Sequence, residues 1–285
     1  MRWQQGRRSE NVEDRRGQRL STGARVGGIG GLGLLVVVVA AMLLGVDPTE
    51  ILQNMPSSSM PSSASVDSGP VGSRPDDELA DFSTVVLADT EDAWTSLFEA
   101  MGRRYEPPVL VLFTDEVQSA CGFASSATGP FYCPADGKLY LDLAFVNELQ
   151  SRFGAPGDFA LAYVIAHEVG HHVQNLLGIS GQVQEQQQRL SETEANRLSV
   201  ALELQADCLS GVWANHAQRA RSALEPGDLE EALNAASAVG DDRIQRQARG
   251  RVVPDSFTHG SSAQRVSWFK RGFETGDPGA CDTFN

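Results

Sequence analysis

The chain has 285 residues, with 23 Lys and Arg against 37 Asp and Glu, and a formal net charge of −14 at pH 7. Its hydrophobic fraction of 41% and its length suit one well-cored globular domain with appendages, and exclude a wholly disordered chain. So acidic a balance also argues against nucleic acid as a partner.

Residues 1–25 are a basic segment carrying Arg2, Arg7, Arg8, Arg15, Arg16, Arg19 and Arg25. Residues 26–46 (VGGIGGLGLLVVVVAAMLLGV) then run without a charge. About 20 apolar residues in a helix cross a hydrocarbon layer roughly 30 Å thick, so this run predicts a transmembrane helix. A cleaved signal peptide would show a shorter apolar run followed by a small-residue cleavage site. The positive-inside rule then places the N-terminus in the cytoplasm and the remainder outside, as a single-pass membrane protein. Residues 47–78 are rich in Ser and Pro without apolar periodicity, and read as a flexible tether. The folded domain is expected at 79–285.

Within that domain, Phe82, Val85, Val86, Trp94, Leu97, Phe98 and Met101 recur at helical spacing, predicting one or two helices over 79–104. Pro107 and Pro108 end the pattern, and the β-branched and aromatic run 109–113 predicts a buried strand. The turn signal Pro134-Ala-Asp-Gly137 predicts a hairpin of residues 131–133 with a strand at 139–143. Helices are expected at about 143–153, 157–177, 184–220, 228–249 and 261–274. The fold class expected is α+β, mostly helical, with a small antiparallel sheet.

Four cysteines all follow the apolar run. An even number on the outer side predicts disulfides, with Cys121 and Cys133 bridging a local loop and Cys208 joined to Cys281. The alternative, a cysteine zinc site, lacks any CxxC pair.

The stretch with the clearest chemistry is His167-Glu168-Val169-Gly170-His171, an HExxH motif inside the apolar run 159–177. On a helix, residues four apart share a face, so both imidazoles can hold one ion while Glu168 reaches a water beside it. Gly170 and Ala166 would let a second element approach closely. A third ligand is needed downstream, and the metzincin position for it is Leu177, which excludes that class. The best candidate is Glu203, with Asp207 four residues on, amid Val200, Leu202, Leu204 and Leu209. Asp207 would accept the second ring N–H of a ligand histidine. The structural alternative is a solvated helix face. His172 points about 100° away from His171 and cannot share its ion. His216 is expected at the surface, and Tyr140 in packing rather than at substrate.

HExxH followed by ExxxD resembles the gluzincin peptidases, and the chain is most similar to a bacterial membrane-anchored family called putative neutral zinc metallopeptidases. The likeness rests on residues 2–16 (RWQQGRRSENVEDRR), Ala166-His-Glu-Val-Gly-His-His-Val-Gln174, Glu203-Leu-Gln-Ala-Asp-Cys208 and Gly211-Val-Trp213. It implies a zincin-like domain, one Zn²⁺ held by His167, His171 and Glu203, and a peptide or protein substrate. The segment Thr258-His-Gly-Ser-Ser-Ala-Gln-Arg265 is similar to an element of membrane-linked gluzincins, with Gly260 in place of a proline. That likeness implies that His259 hydrogen-bonds the oxyanion and that Arg265 holds the substrate backbone or a site carboxylate. The plainer reading is a cap for the last helix by Thr258 or Ser261, with His259 exposed.

The function expected is zinc-dependent hydrolysis of peptide bonds with Glu168 as general base, and a substrate strand added beside 139–143. The alternative is a catalytically silent, zinc-stabilised module that binds partners at the envelope.

Overall fold

The computed structural model describes residues 1–18 and 77–284. Their fold is α+β. In chain order its elements are β1 (Val12–Asp14), α1 (Asp77–Ala100), β2 (Val109–Phe113), β3 (Glu116–Ser119), β4 (Gly122–Ser125), β5 (Phe131–Cys133) and β6 (Lys138–Asp142). Seven helices follow: α2 (Phe145–Ser151), α3 (Asp158–Leu176), α4 (Ile179–Gln187), α5 (Glu192–Arg221), α6 (Asp228–Ala238), α7 (Asp241–Arg249) and α8 (Ser262–Thr275).

The four-stranded sheet runs β1-β2-β6-β5, and β3 pairs with β4 as a separate hairpin. The sheet is mixed, not antiparallel as expected. β1 and β2 are parallel, β2 and β6 are parallel with Val111 opposite Tyr140, and only β5–β6 is antiparallel. β6 is therefore interior, so the strand expected to receive substrate at 139–143 has no free edge. β5 is the edge. Tyr140 is buried, stacks on Phe131 at 4.8 Å and donates its hydroxyl to Asp136, so it packs as expected.

The helix anticipated at 184–220 is broken. A capping box at Ser191 and Glu194 starts α5 afresh, worth about 1 kcal/mol. Likewise Gly240 separates α6 from α7. The helices around α3 and α5 enclose the main core, where Phe159 stacks on Trp213 and Tyr163 meets Phe269 edge-on.

Two close approaches fix the helix crossings. A Cβ on Gly170 of α3 would lie 3.0 Å from the Ala206 carbonyl oxygen of α5, so the absent side chain sets how near these helices come. The same holds more strongly where α5 crosses α8, since Cβ atoms on Gly211 and Gly272 would overlap the facing backbone of Phe269 and Cys208. Both expected disulfides, Cys121–Cys133 and Cys208–Cys281, are formed.

The largest departure from expectation is at the N-terminus. Residues 1–25 are not wholly a segment apart: 1–18 form an arm packed into the domain, and β1 completes the sheet. The predicted span 26–46 and tether 47–76 lie outside the described residues, whereas Asp77 and Glu78, assigned to the tether, begin α1. Among the described residues no helix is long and apolar enough to cross a membrane.

Candidate metal centre

Helix α3 carries the HExxH motif and is held at its start by Glu231 of α6, whose carboxylate accepts the Phe159 N–H at 3.0 Å. Across the Gly170–Ala206 approach, α5 presents Glu203 to the same face. The His167 Nε2 lies 3.3 Å from one Glu203 oxygen and the His171 Nε2 3.4 Å from the other. One ligand atom from each residue falls within 4.8 Å of the other two.

The other ring nitrogens are already committed. The His167 Nδ1–H donates to Asp207 at 3.0 Å, and the His171 Nδ1–H donates to the Gln174 side-chain oxygen at 2.9 Å. With Nδ1 fixed as donor, each Nε2 is directed toward Glu203, as ligand imidazoles require. Asp207 is fully buried and takes three partners in all: His167, the Tyr163 hydroxyl, and Arg265, whose Nε donates at 2.8 Å. Burial would raise the Asp207 pKa, but Arg265 and His167 hold it below the usual carboxylate value.

Glu168 stands half-buried beside the triad. Burial raises its pKa, with Glu203 adding to the effect, against the lowering influence of the two imidazoles and of the Tyr132 backbone N–H that its carboxylate accepts. Glu168 lines the same cavity as both imidazoles, so its carboxyl is placed to exchange a proton with a water held there. Two imidazoles and one carboxylate, oriented and with one side open to a cavity, are the donor set of a catalytic zinc site. The residues fit the ion.

The cavity has a volume of about 440 Å³ and opens over His167, Glu168, His171 and Glu203. Its apolar wall is formed by Phe131, Phe145, Phe153, Val164 and Val239.

Residues 1–284 match the model of the family described as "putative neutral zinc metallopeptidase". The chain belongs to that family. Among the relatives of this chain, the protein YpfJ of Escherichia coli K12 is 53% identical over 292 residues, covering 100% of the chain and 99% of the relative. The proteins Mb2605 of Mycobacterium bovis and Rv2575 of Mycobacterium tuberculosis are each 44% identical over 258 residues, 86% of the chain and 85% of either relative. No solved structure matches.

Other residues of this family member fall as follows. His259 lines the same cavity, and its Nδ1–H donates to Asp241 at 3.3 Å. Asp241 also accepts the backbone N–H groups of Thr258, His259 and Gly260 at 2.7–3.0 Å, which fixes the loop before α8. Ser261, not Thr258, caps α8. Arg265 is buried against Asp207 and Tyr163, so of its two implied roles the contact seen is with a site carboxylate. His172 does not reach the triad. Its Nε2–H donates to the Glu106 carbonyl at 2.7 Å and its Nδ1 accepts the Tyr132 hydroxyl, tethering β5 to α3. His216 is half-buried rather than exposed and donates to the Gly276 carbonyl.

Sequence reasoning missed two amides. Gln174 not only accepts from His171 but donates to Leu202 O and to the side chain of Gln205, which donates in turn to Cys281 O. The available signal was spacing: Gln174 lies one helical turn beyond His171 inside an apolar run, where an amide needs partners. A second acidic cluster, Asp158, Asp228 and Glu231, has partners of another kind. The Met1 ammonium binds Asp158 and Asp228 at 3.1 and 3.2 Å, while Glu231 holds Phe159.

Proposed function

We propose that this chain is a zinc-dependent endopeptidase built on a zincin-like domain, with His167, His171 and Glu203 holding one Zn²⁺. The observation that carries this reading is the convergence of two Nδ1-anchored imidazoles and Glu203 beside a half-buried Glu168 that lines the same cavity. When bound, zinc supplies a Lewis acid that acidifies an attacking water and polarises the scissile carbonyl.

Glu168 takes the proton of the attacking water and returns it to the leaving amine. The Tyr132 N–H keeps its carboxylate aimed at the cavity. His259, anchored through Nδ1 by Asp241, offers Nε2 to the substrate oxygen that gains charge. β5, the free edge of the sheet beside the cavity, receives the substrate as an added strand. The aromatic and aliphatic wall favours a bulky apolar side chain next to the scissile bond. Membrane attachment through residues 26–46 also belongs to this reading.

The test is bound-metal analysis together with cleavage of an unbiased peptide library by the wild type and Glu168→Gln. Equal zinc content with cleavage reduced by about 10²-fold or more is the expected result. Equal zinc with no Glu168-dependent cleavage would leave the metal a role in the fold alone.

A further inference from the structure

The apolar run 26–46 and its arginine-rich flank predict that the chain passes through a membrane once, which would put residues 1–18 and 77–284 on opposite sides. The packing of the arm is incompatible with that arrangement. We infer that residues 1–18 and 77–284 form one folded unit in one compartment, on the same side of any membrane the chain meets.

The arm is bound along its whole described length. Trp3 meets Phe82 edge-on at 5.6 Å, and a Cβ on Gly6 would overlap the Val85 side chain. Ser9 donates to Glu91 at 2.5 Å and Asn11 to the same carboxylate at 2.8 Å, with Glu91 itself buried. The Leu110 N–H donates to Asn11 O at 2.9 Å, and β1 then runs in register with β2, Glu13 opposite Val111. These partners lie in α1 and β2, at the centre of the domain. Separating them by a hydrocarbon layer roughly 30 Å thick would leave β2 with an open edge and Glu91 without Arg7, Ser9 and Asn11.

The points where the chain leaves and re-enters the described fold are adjacent, since Arg16 contacts Asp77 at 3.0 Å. A return crossing would need a second apolar run of about 20 residues, and 47–76 contains none.

The basic flank has an explanation of its own. Arg7 pairs with Glu91 and Asp92 at 2.8 and 2.7 Å, Arg8 with Asp81 at 2.6 Å, Arg15 with Glu13, and Arg16 with Asp14 at 2.7 Å. Of the charges that read as a topogenic signal in the sequence, Arg7, Arg8 and Arg16 dock the arm on α1, the last through Asp77, while the Arg15 pair lies within the arm. They are neutralised by carboxylates of the same folded unit, which weakens the positive-inside argument that counted them as free. A lipid surface approached from one side remains open to the apolar run.

Membrane-impermeant maleimide labelling of the full chain tests it. Exposed Gln5 and Glu99 are each replaced by cysteine in separate chains, the four native cysteines being bridged. Intact and permeabilised spheroplasts expressing each variant are then labelled. Gln5→Cys and Glu99→Cys are expected to label under the same condition, both before permeabilisation or both only after it. Labelling of one from outside and of the other only after permeabilisation overturns the inference.

Discussion

At the residue scale, the two histidines of the candidate metal centre are oriented by different means. His167 is held by a buried carboxylate, itself fixed by Tyr163 and Arg265, whereas His171 is held by the neutral amide of Gln174. Gln174→Leu keeps the volume but removes the acceptor, and is expected to lower zinc affinity about 10- to 100-fold in a competition titration with a chromogenic chelator. Arg265→Ala would leave Asp207 as a buried charge short of its partner and is expected to cost about 3–5 kcal/mol in chemical denaturation. Asp241 supplies a pH-dependent contribution. Burial works against its ionisation, but His259 and the three loop N–H groups hold its pKa below the usual value. Its ionised form therefore stabilises the fold fully above the unfolded value of about 3.9, and that contribution fades as pH falls below it. The Tm difference between wild type and Asp241→Ala is expected to be full at pH 6 and to shrink toward pH 3.

At the scale of elements, what the sequence disclosed and what it hid divide along the range of the interactions. The 109–113 strand, the Pro134–Gly137 hairpin and the HExxH helix carry their signals locally, in periodicity and turn residues. The pairing of Glu203 with the histidines was legible because ExxxD on a helix has its own spacing. β1 was not. Three residues, two of them acidic, show no alternation, and their partner lies far along the chain at Leu110–Leu112. Nor do composition and spacing reveal which strand of a hairpin is the edge, and here it is β5 and not β6. Gly272 carries no signal in the sequence and Gly211 stands there only within a family segment, yet the two set the α5–α8 crossing. Gly272→Ala must push these backbones apart, and a loss of about 3 kcal/mol or more is expected in thermal or chemical denaturation.

At the scale of the whole molecule, the arm and domain are one cooperative unit, with Glu91 at their junction. Glu91→Ala strips Ser9, Asn11 and Arg7 of an acceptor together. A loss of about 1–3 kcal/mol is expected in a single unfolding transition, with the arm cleaved faster by trypsin at Arg7 and Arg8. An arm that melted separately, with the main transition unmoved, would contradict this account.

The Cys208–Cys281 bridge has a chemical corollary. Cys208 directly follows Asp207, and the backbone of Cys281 receives Gln205, which steadies Gln174 and through it His171. Thiol chemistry at the tail thus bears on both imidazoles at once, by way of the carboxylate on one flank and the amide relay on the other. If the proposed centre holds zinc, a reductant is expected to accelerate its escape to a chelator before the chain unfolds, tying retention of the ion to the oxidation state of its surroundings.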